Sequence, residues 1–209
     1  MTDPRQMHWD SVYASQPATK VSWYESRPQR SLDFIRATGI ASLDPIIDVG
    51  GGASVLGDAL IEADYRDLTV LDVSAEALRA LRERLGSRAE RVTFLLREVT
   101  AFEPSRQYAL WHDRAVFHFL VEPSNRRHYV QALHRALRRG GHAIICTFGP
   151  EGPQRCSGLP VVRYDAAALA AQLGPEFSLV DSVLTIHRTP RGVEQQFLNC
   201  RFIRATPEA

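Results

Sequence analysis

The chain has 209 residues, 44% of them hydrophobic and 23% charged. That is an ordinary globular composition, and enough chain for one domain, residues 1–209, with a full core. A net charge of +1 gives no push towards nucleic acid or an anionic membrane. No apolar run approaches the ~18 residues of a membrane span, and the first ten residues lack the basic head and apolar core of a secretory signal. The three cysteines, Cys146, Cys156 and Cys200, are odd in number and far apart, so a reduced, cytoplasmic setting is expected. Lys20 is the only lysine, and no feature sets an oligomeric state.

Residues 1–40 form an N-terminal arm dense in aromatic side chains, Trp9, Tyr13, Trp23 and Tyr24. Met7 to Tyr13 fits a short helix, and Ser31 to Thr38 a second one stopped by Gly39. Ile46-Ile-Asp-Val49 is an apolar β-branched run and reads as a strand buried on both faces. Gly50, Gly51 and Gly52 follow, and Val55, Leu56, Ala59, Leu60 and Ala63 carry a helical period. Leu68 to Asp72 is the second strand. Ser74 caps a helix over 75–85 that ends at Gly86. Val92 to Leu96 and Tyr108 to Arg114 are further strands, the latter ending in His112, Asp113 and Arg114.

Ser124 is the expected cap of a helix over 125–138, stopped by Gly140-Gly141, with a strand over 143–148 behind it. Residues 149–164 are rich in Pro and Gly and read as a long loop beside the binding crevice, with Cys156, Arg163 and Tyr164 as contacts for a substrate. Asp165 caps a helix to Leu173. Phe177 to His187 and Val193 to Arg204 read as two strands joined by a turn, an antiparallel hairpin.

Strand, glycine turn, helix and second strand form one unit. Its glycines let the backbone approach a ligand, and the helix start offers free N–H groups. Asp72 stands twenty residues after Gly52, where a carboxylate suits the hydroxyls of a ribose. The dinucleotide fingerprint needs Gly or Ala at position 55, and Val55 is there, which disfavours an NAD-dependent oxidoreductase. Asp48 would repel a pyrophosphate but orient an ammonium group.

Asp-Val-Gly-Gly-Gly-Ala-Ser followed by Leu-Thr-Val-Leu-Asp-Val-Ser resembles motifs I and II of class I S-adenosylmethionine (SAM)-dependent methyltransferases. Ser54 replaces the last glycine of the usual pattern. The resemblance implies a Rossmann-like α/β fold: a seven-stranded, mostly parallel sheet with an antiparallel hairpin strand at its C-terminal end and helices on both faces. It implies SAM as cofactor, held by Asp48, Gly50, Gly51, Gly52, Asp72, Val73 and His112, with Glu98 and Val99 against the adenine. It also places His112, Asp113 and Arg114 at the motif beside the reactive methyl. Ala-Leu-Arg-Arg-Gly-Gly resembles the Leu-x-Pro-Gly-Gly motif before the fifth strand, with Arg139 in place of Pro. The arm's Trp-Asp-x-x-Tyr and Ser-Trp-Tyr-Glu resemble a subgroup that includes elongation-factor and citrate-synthase lysine methyltransferases, in whose arms an aromatic residue covers the SAM; Tyr24 is the favoured position.

Methyl transfer needs an acceptor held in line with its lone pair free. A neutral amine needs no base; a hydroxyl or thiol needs one or a depressed pKa. His112, Asp113 and His118 are the base candidates, Asp113 can instead orient an amine, and Arg114 and Arg163 can hold a carboxylate. Tyr24 joins His112, Asp113 and Arg114 as a catalytic candidate, and no metal site is expected. The acceptor is a small molecule, slightly favoured by the short chain, or a protein lysine; a non-catalytic SAM-binding protein is the reading from another class.

Overall fold

A computed structural model describes residues 3–206. The arm holds helices α1 (Pro4–Ser15) and α2 (Gln29–Thr38). Strands and helices then follow, with no α-helix between β3 and β4: β1 (Ile46–Val49), α3 (Leu56–Glu62), β2 (Leu68–Asp72), α4 (Ala75–Leu85), β3 (Val92–Leu96), β4 (Tyr108–Arg114), α5 (Pro123–Ala136) and β5 (Leu137–Phe148). A two-residue-per-strand hairpin, β6 (Arg155–Cys156) and β7 (Leu159–Pro160), sits inside the loop expected over 149–164. Helix α6 (Ala166–Leu173) and strands β8 (Phe177–Arg188) and β9 (Glu194–Arg204) complete the fold.

Seven strands form one sheet in the order β3-β2-β1-β4-β5-β9-β8. The first five pair in parallel, and β9 runs antiparallel to both β5 and β8. Chain order reverses between β1 and β4, and in open sheets of this kind the ligand crevice lies beyond the carboxyl ends of the strands at that point. Leu32 and Ile35 of α2, Leu60 of α3 and Leu78 and Leu81 of α4 bury one face. Tyr129 and Leu133 of α5 with Leu169 and Leu173 of α6 bury the other. Among the described residues no helix is long and apolar enough to cross a membrane.

Helix α5 departs from the expected bounds at both ends. It starts at Pro123, whose missing N–H costs nothing in a first turn, and Ser124 lies inside it rather than capping it. It ends at Ala136, so Arg138 and Arg139 lie on the strand. The glycine pair shapes the start of β5 instead of stopping the helix. A Cβ on Gly141 would fall 2.8 Å from the Arg138 carbonyl oxygen and 3.0 Å from that of Ala109, and the register with β4 shifts at this point.

Candidate active site

The three glycines are needed for three different reasons. Gly50 has φ +69°, and a Cβ there would run into the side chain of Val116. A Cβ on Gly51 would strike the Asp48 carboxylate. A Cβ on Gly52 would lie 2.6 Å from that of Ala77 and 2.7 Å from Asp72 Oδ2. The turn therefore presses backbone against both carboxylates.

Asp48 is buried at the end of β1, opposite His112 in the β1–β4 register. His112 Nδ1 donates to Asp48 Oδ1 at 2.7 Å, since the carboxylate only accepts, and Nε2 is hydrogen-bonded to Ser31 Oγ at 2.9 Å. Asp48 Oδ2 is buried with no hydrogen-bond partner among the described residues. A buried carboxylate oxygen left unpaired is costly, so it marks where a donor from outside the chain fits. Asp72, at the end of β2, accepts from the Gly52 amide at 3.0 Å and the Ser74 amide at 2.8 Å. Burial pushes its pKa up to about 6, the two N–H groups pull it down, and the Asp48 charge adds to the rise.

Two clefts meet at Gly50. One, with about 730 Å³ of empty space counted out to its mouth, is lined by Asp72, Val73, Glu98 and Val99 and roofed by Trp9, Tyr13 and Trp23. The other, about 540 Å³ on the same measure, is lined by Asp48, Gly50, Gly51, His112 and Ser31, with Tyr24, Tyr13 and Trp23 above. The roof is an aromatic cluster: Trp9 packs edge-on against Trp23 at 5.7 Å and Phe119 at 5.0 Å between ring centres, and Tyr13 against Trp23 at 6.1 Å.

The arm is tied down at several points. Arg5 pairs with Glu98 Oε1 at 3.0 Å, the same oxygen that accepts from Thr100. Asp10 accepts from Ser74 Oγ at 2.7 Å and from the Glu76 amide at 3.2 Å. Arg114 donates to the Trp23 carbonyl at 2.9 Å and to Glu25 at 2.8 Å, and lies over the Phe197 ring. His187 Nε2 donates to the Ser22 carbonyl at 2.7 Å. Arg5, Ser31 and His187 carry no motif of their own; Asp10, inside Trp-Asp-x-x-Tyr, has a local signal.

The expectation that His112, Asp113 and Arg114 all enter the crevice is corrected by strand geometry. Strand β4 runs through Arg114, so successive side chains alternate between faces. His112 faces the cleft and Asp113 the opposite core, at 0% exposure. Asp113 accepts from the Val116 amide at 2.9 Å, the Phe117 amide at 3.1 Å and the Tyr129 hydroxyl at 2.6 Å. It holds the turn at Ala115, whose φ is +72°. Arg114 borders both clefts, but its guanidinium is engaged by the arm.

His118 is fully buried against Phe148, whose amide donates to Nδ1 at 3.2 Å, and burial with the nearby Arg114 charge lowers its pKa to about 3. Tyr164 packs on Phe117 in the core, and Arg163 donates to the Gly152 carbonyl at 3.3 Å. Cys156 borders the first cleft, 3.9 Å from Ser22 Oγ, and burial raises its thiol pKa. Among the described residues no group of three or more His, Cys, Asp or Glu gathers to hold a metal ion.

A reversing parallel sheet with a carboxylate at the end of each of two neighbouring strands, flanking a glycine turn, is the class I SAM-dependent methyltransferase fold. Residues 46–141 match a family model described as a methyltransferase domain. Two solved structures share nearly the whole fold. One is described as converting a disulfide bond into a thioacetal group during echinomycin biosynthesis, with TM-score 0.78, 19% identity, and 98% of this chain and 93% of that chain covered. The other is the N-methyltransferase NodS from Bradyrhizobium japonicum WM9 in complex with S-adenosylhomocysteine, with TM-score 0.73, 18% identity and coverage of 95% and 98%. A curated relative, the eEF1A lysine and N-terminal methyltransferase of Mus musculus, is 25% identical over 96 residues, 46% of this chain. The match spans only 14% of that protein's length.

Proposed function

We propose that the protein is a SAM-dependent methyltransferase acting on a nucleophile of a small molecule, in a reducing, cytoplasmic setting. The observation that carries this reading is the unpartnered Asp48 Oδ2 behind the Gly50–Gly52 turn. A buried acceptor without a donor fits the ammonium of the SAM amino-acid end, and a phosphate would be repelled there. Val55 leaves the dinucleotide fingerprint incomplete.

The residues divide the work. Asp48, kept in place by His112 and Ser31, faces the ammonium. Asp72 retains lone pairs for the ribose hydroxyls beside those bonded to Gly52 and Ser74. Val73 and Val99 flank the adenine, and Glu98 offers Oε2 to its amine, since the bonds to Arg5 and Thr100 use Oε1. Tyr13, Trp23 and Tyr24 exclude water from above. Bound SAM supplies an electrophilic methyl group for in-line displacement by the acceptor's lone pair.

No candidate base is free to act on that acceptor. Asp113 faces the core, both His112 nitrogens are engaged, and His118 Nδ1 holds a backbone amide. Burial raises the pKa of Tyr13 and Cys156. This favours an acceptor that brings its own lone pair, a neutral amine above all. NodS is described as an N-methyltransferase. A protein lysine is the second reading, supported by the similarity to the eEF1A lysine and N-terminal methyltransferase.

The test is methyl transfer from labelled SAM into a cell lysate separated by size. Label in the small-molecule fraction supports the proposal. Label on a discrete protein band establishes the lysine reading in its place. S-adenosylhomocysteine binding with no labelled product above a heat-killed control favours a non-catalytic binder.

A further inference from the structure

A third depression lies outside the two clefts, bounded by the arm, the tip of the β6–β7 hairpin and the β8–β9 turn. Lys20, Ser22, Thr189, Arg191 and Gln195 line it, and no carboxylate does. Trp23 borders it as well as both inner clefts, so one residue is common to the lining of all three spaces. The contact of Ser22 Oγ with Cys156 Sγ, 3.9 Å long, continues that shared lining, because Cys156 borders the first cleft.

Both cations stand on held backbone. Lys20 ends a short 3₁₀ turn, and its amide donates to the Pro17 carbonyl at 2.9 Å. Arg191 sits on a turn closed by Thr189: the Val193 amide donates to Thr189 Oγ1 at 3.0 Å and the Gly192 amide to its carbonyl at 2.8 Å. Glu194, next along the chain, turns to Arg188 at 2.7 Å. Gln195 supplies the independent sign of a ligand. It is 8% exposed, and its Oε1 is buried with no partner among the described residues. A buried amide oxygen of this kind is rarely left unsatisfied in a folded protein.

We infer that this depression binds the oxyanion of the methyl acceptor, a carboxylate or phosphate held by Lys20 and Arg191, with a neighbouring N–H or O–H of the same molecule donating to Gln195. Two cations on held turns, lining a depression that no carboxylate lines, suit an anion, and Arg presents a forked donor to it. Trp23 lines this depression and both cofactor clefts, so an acceptor anchored there lies next to them. The part of the inference that names the acceptor rests on the methyltransferase reading; the anion site itself does not.

Lys20, as the only lysine, makes the test direct. Reductive methylation with ¹³C-formaldehyde keeps its charge and places one side-chain NMR reporter in the depression, distinct from the terminal amine. The full chain is titrated with inorganic phosphate at ionic strength matched by chloride. The inference expects a saturable shift of the Lys20 signal in the millimolar range, weakened about tenfold in Arg191→Ala by loss of a charge-assisted contact. A shift no larger than that with chloride alone, or one unchanged in Arg191→Ala, overturns it. Calorimetry with S-adenosylhomocysteine on the same protein separates the two readings: a phosphate response without S-adenosylhomocysteine binding leaves the anion site standing and removes the methyltransferase reading, and the reverse result removes only the anion site.

Discussion

Asp10 accepts the Ser74 hydroxyl at 2.7 Å, and the amide of the same serine donates to Asp72 at 2.8 Å. One residue thus joins the arm helix to the carboxylate proposed to read the ribose. Ser74 also caps α4 by accepting from the Ala77 amide at 3.1 Å, so Asp10 supports a helix start as well as a roof.

Asp10→Ala removes the latch without touching the clefts. Loss of a capping contact of this kind costs about 1 kcal/mol of stability. The variant is expected to melt slightly earlier and to release S-adenosylhomocysteine faster, as read by stopped-flow fluorescence of the roof tryptophans. An unchanged release rate would mean that α1 does not gate the site.

Asp48→Asn separates the two ends of the cofactor. An amide cannot balance an ammonium, and a hydrogen bond to a charged group contributes about 1.5–3 kcal/mol, so S-adenosylhomocysteine affinity falls by about ten- to a hundredfold. Methylthioadenosine, which lacks the amino-acid end, keeps its affinity. Equal losses for both ligands would show that the ammonium does not lie against Asp48.

Asp72 has a pH signature. Its folded pKa of about 6 lies above the ordinary value of 3.8. Between those values the folded protein holds a proton that the unfolded chain has shed, so this group's contribution to stability falls as pH rises through that window and is level above it. The melting-temperature difference between wild type and Asp72→Asn should decline over that window and then flatten. A difference independent of pH would refute the raised pKa.

Asp113→Asn distinguishes a core residue from a base. Losing the carboxylate that holds Val116, Phe117 and Tyr129 costs about 1–3 kcal/mol, while the folded fraction keeps its methyl-transfer kcat within a few-fold. A base in its place would cost about a hundredfold or more in kcat with the fold intact.

The strand–glycine–strand unit was legible because its signals are local: an apolar run, three residues without Cβ, and an acid at fixed spacing. The hairpin after Gly174 was legible from its turn residues. The roles of His112, Asp113 and Arg114 were not. Reading them as a polar cluster overlooked that a strand running through Arg114 turns neighbours to opposite faces, so His112 reaches Asp48 and Asp113 reaches Tyr129. The contacts of Arg5, Asp10 and His187 depend on how the arm folds back over the sheet, which no short spacing records. The start of β5 was misplaced because a glycine pair reads alike as a helix stop and as room for a close backbone crossing.

The most direct measurement is isothermal calorimetry of S-adenosylhomocysteine against wild type and Asp72→Ala, with melting curves to confirm that both fold. The account predicts saturable binding to wild type, weakened at least about tenfold in the variant by loss of the ribose acceptor. Absence of binding to wild type, or equal affinity in a folded Asp72→Ala, would contradict it.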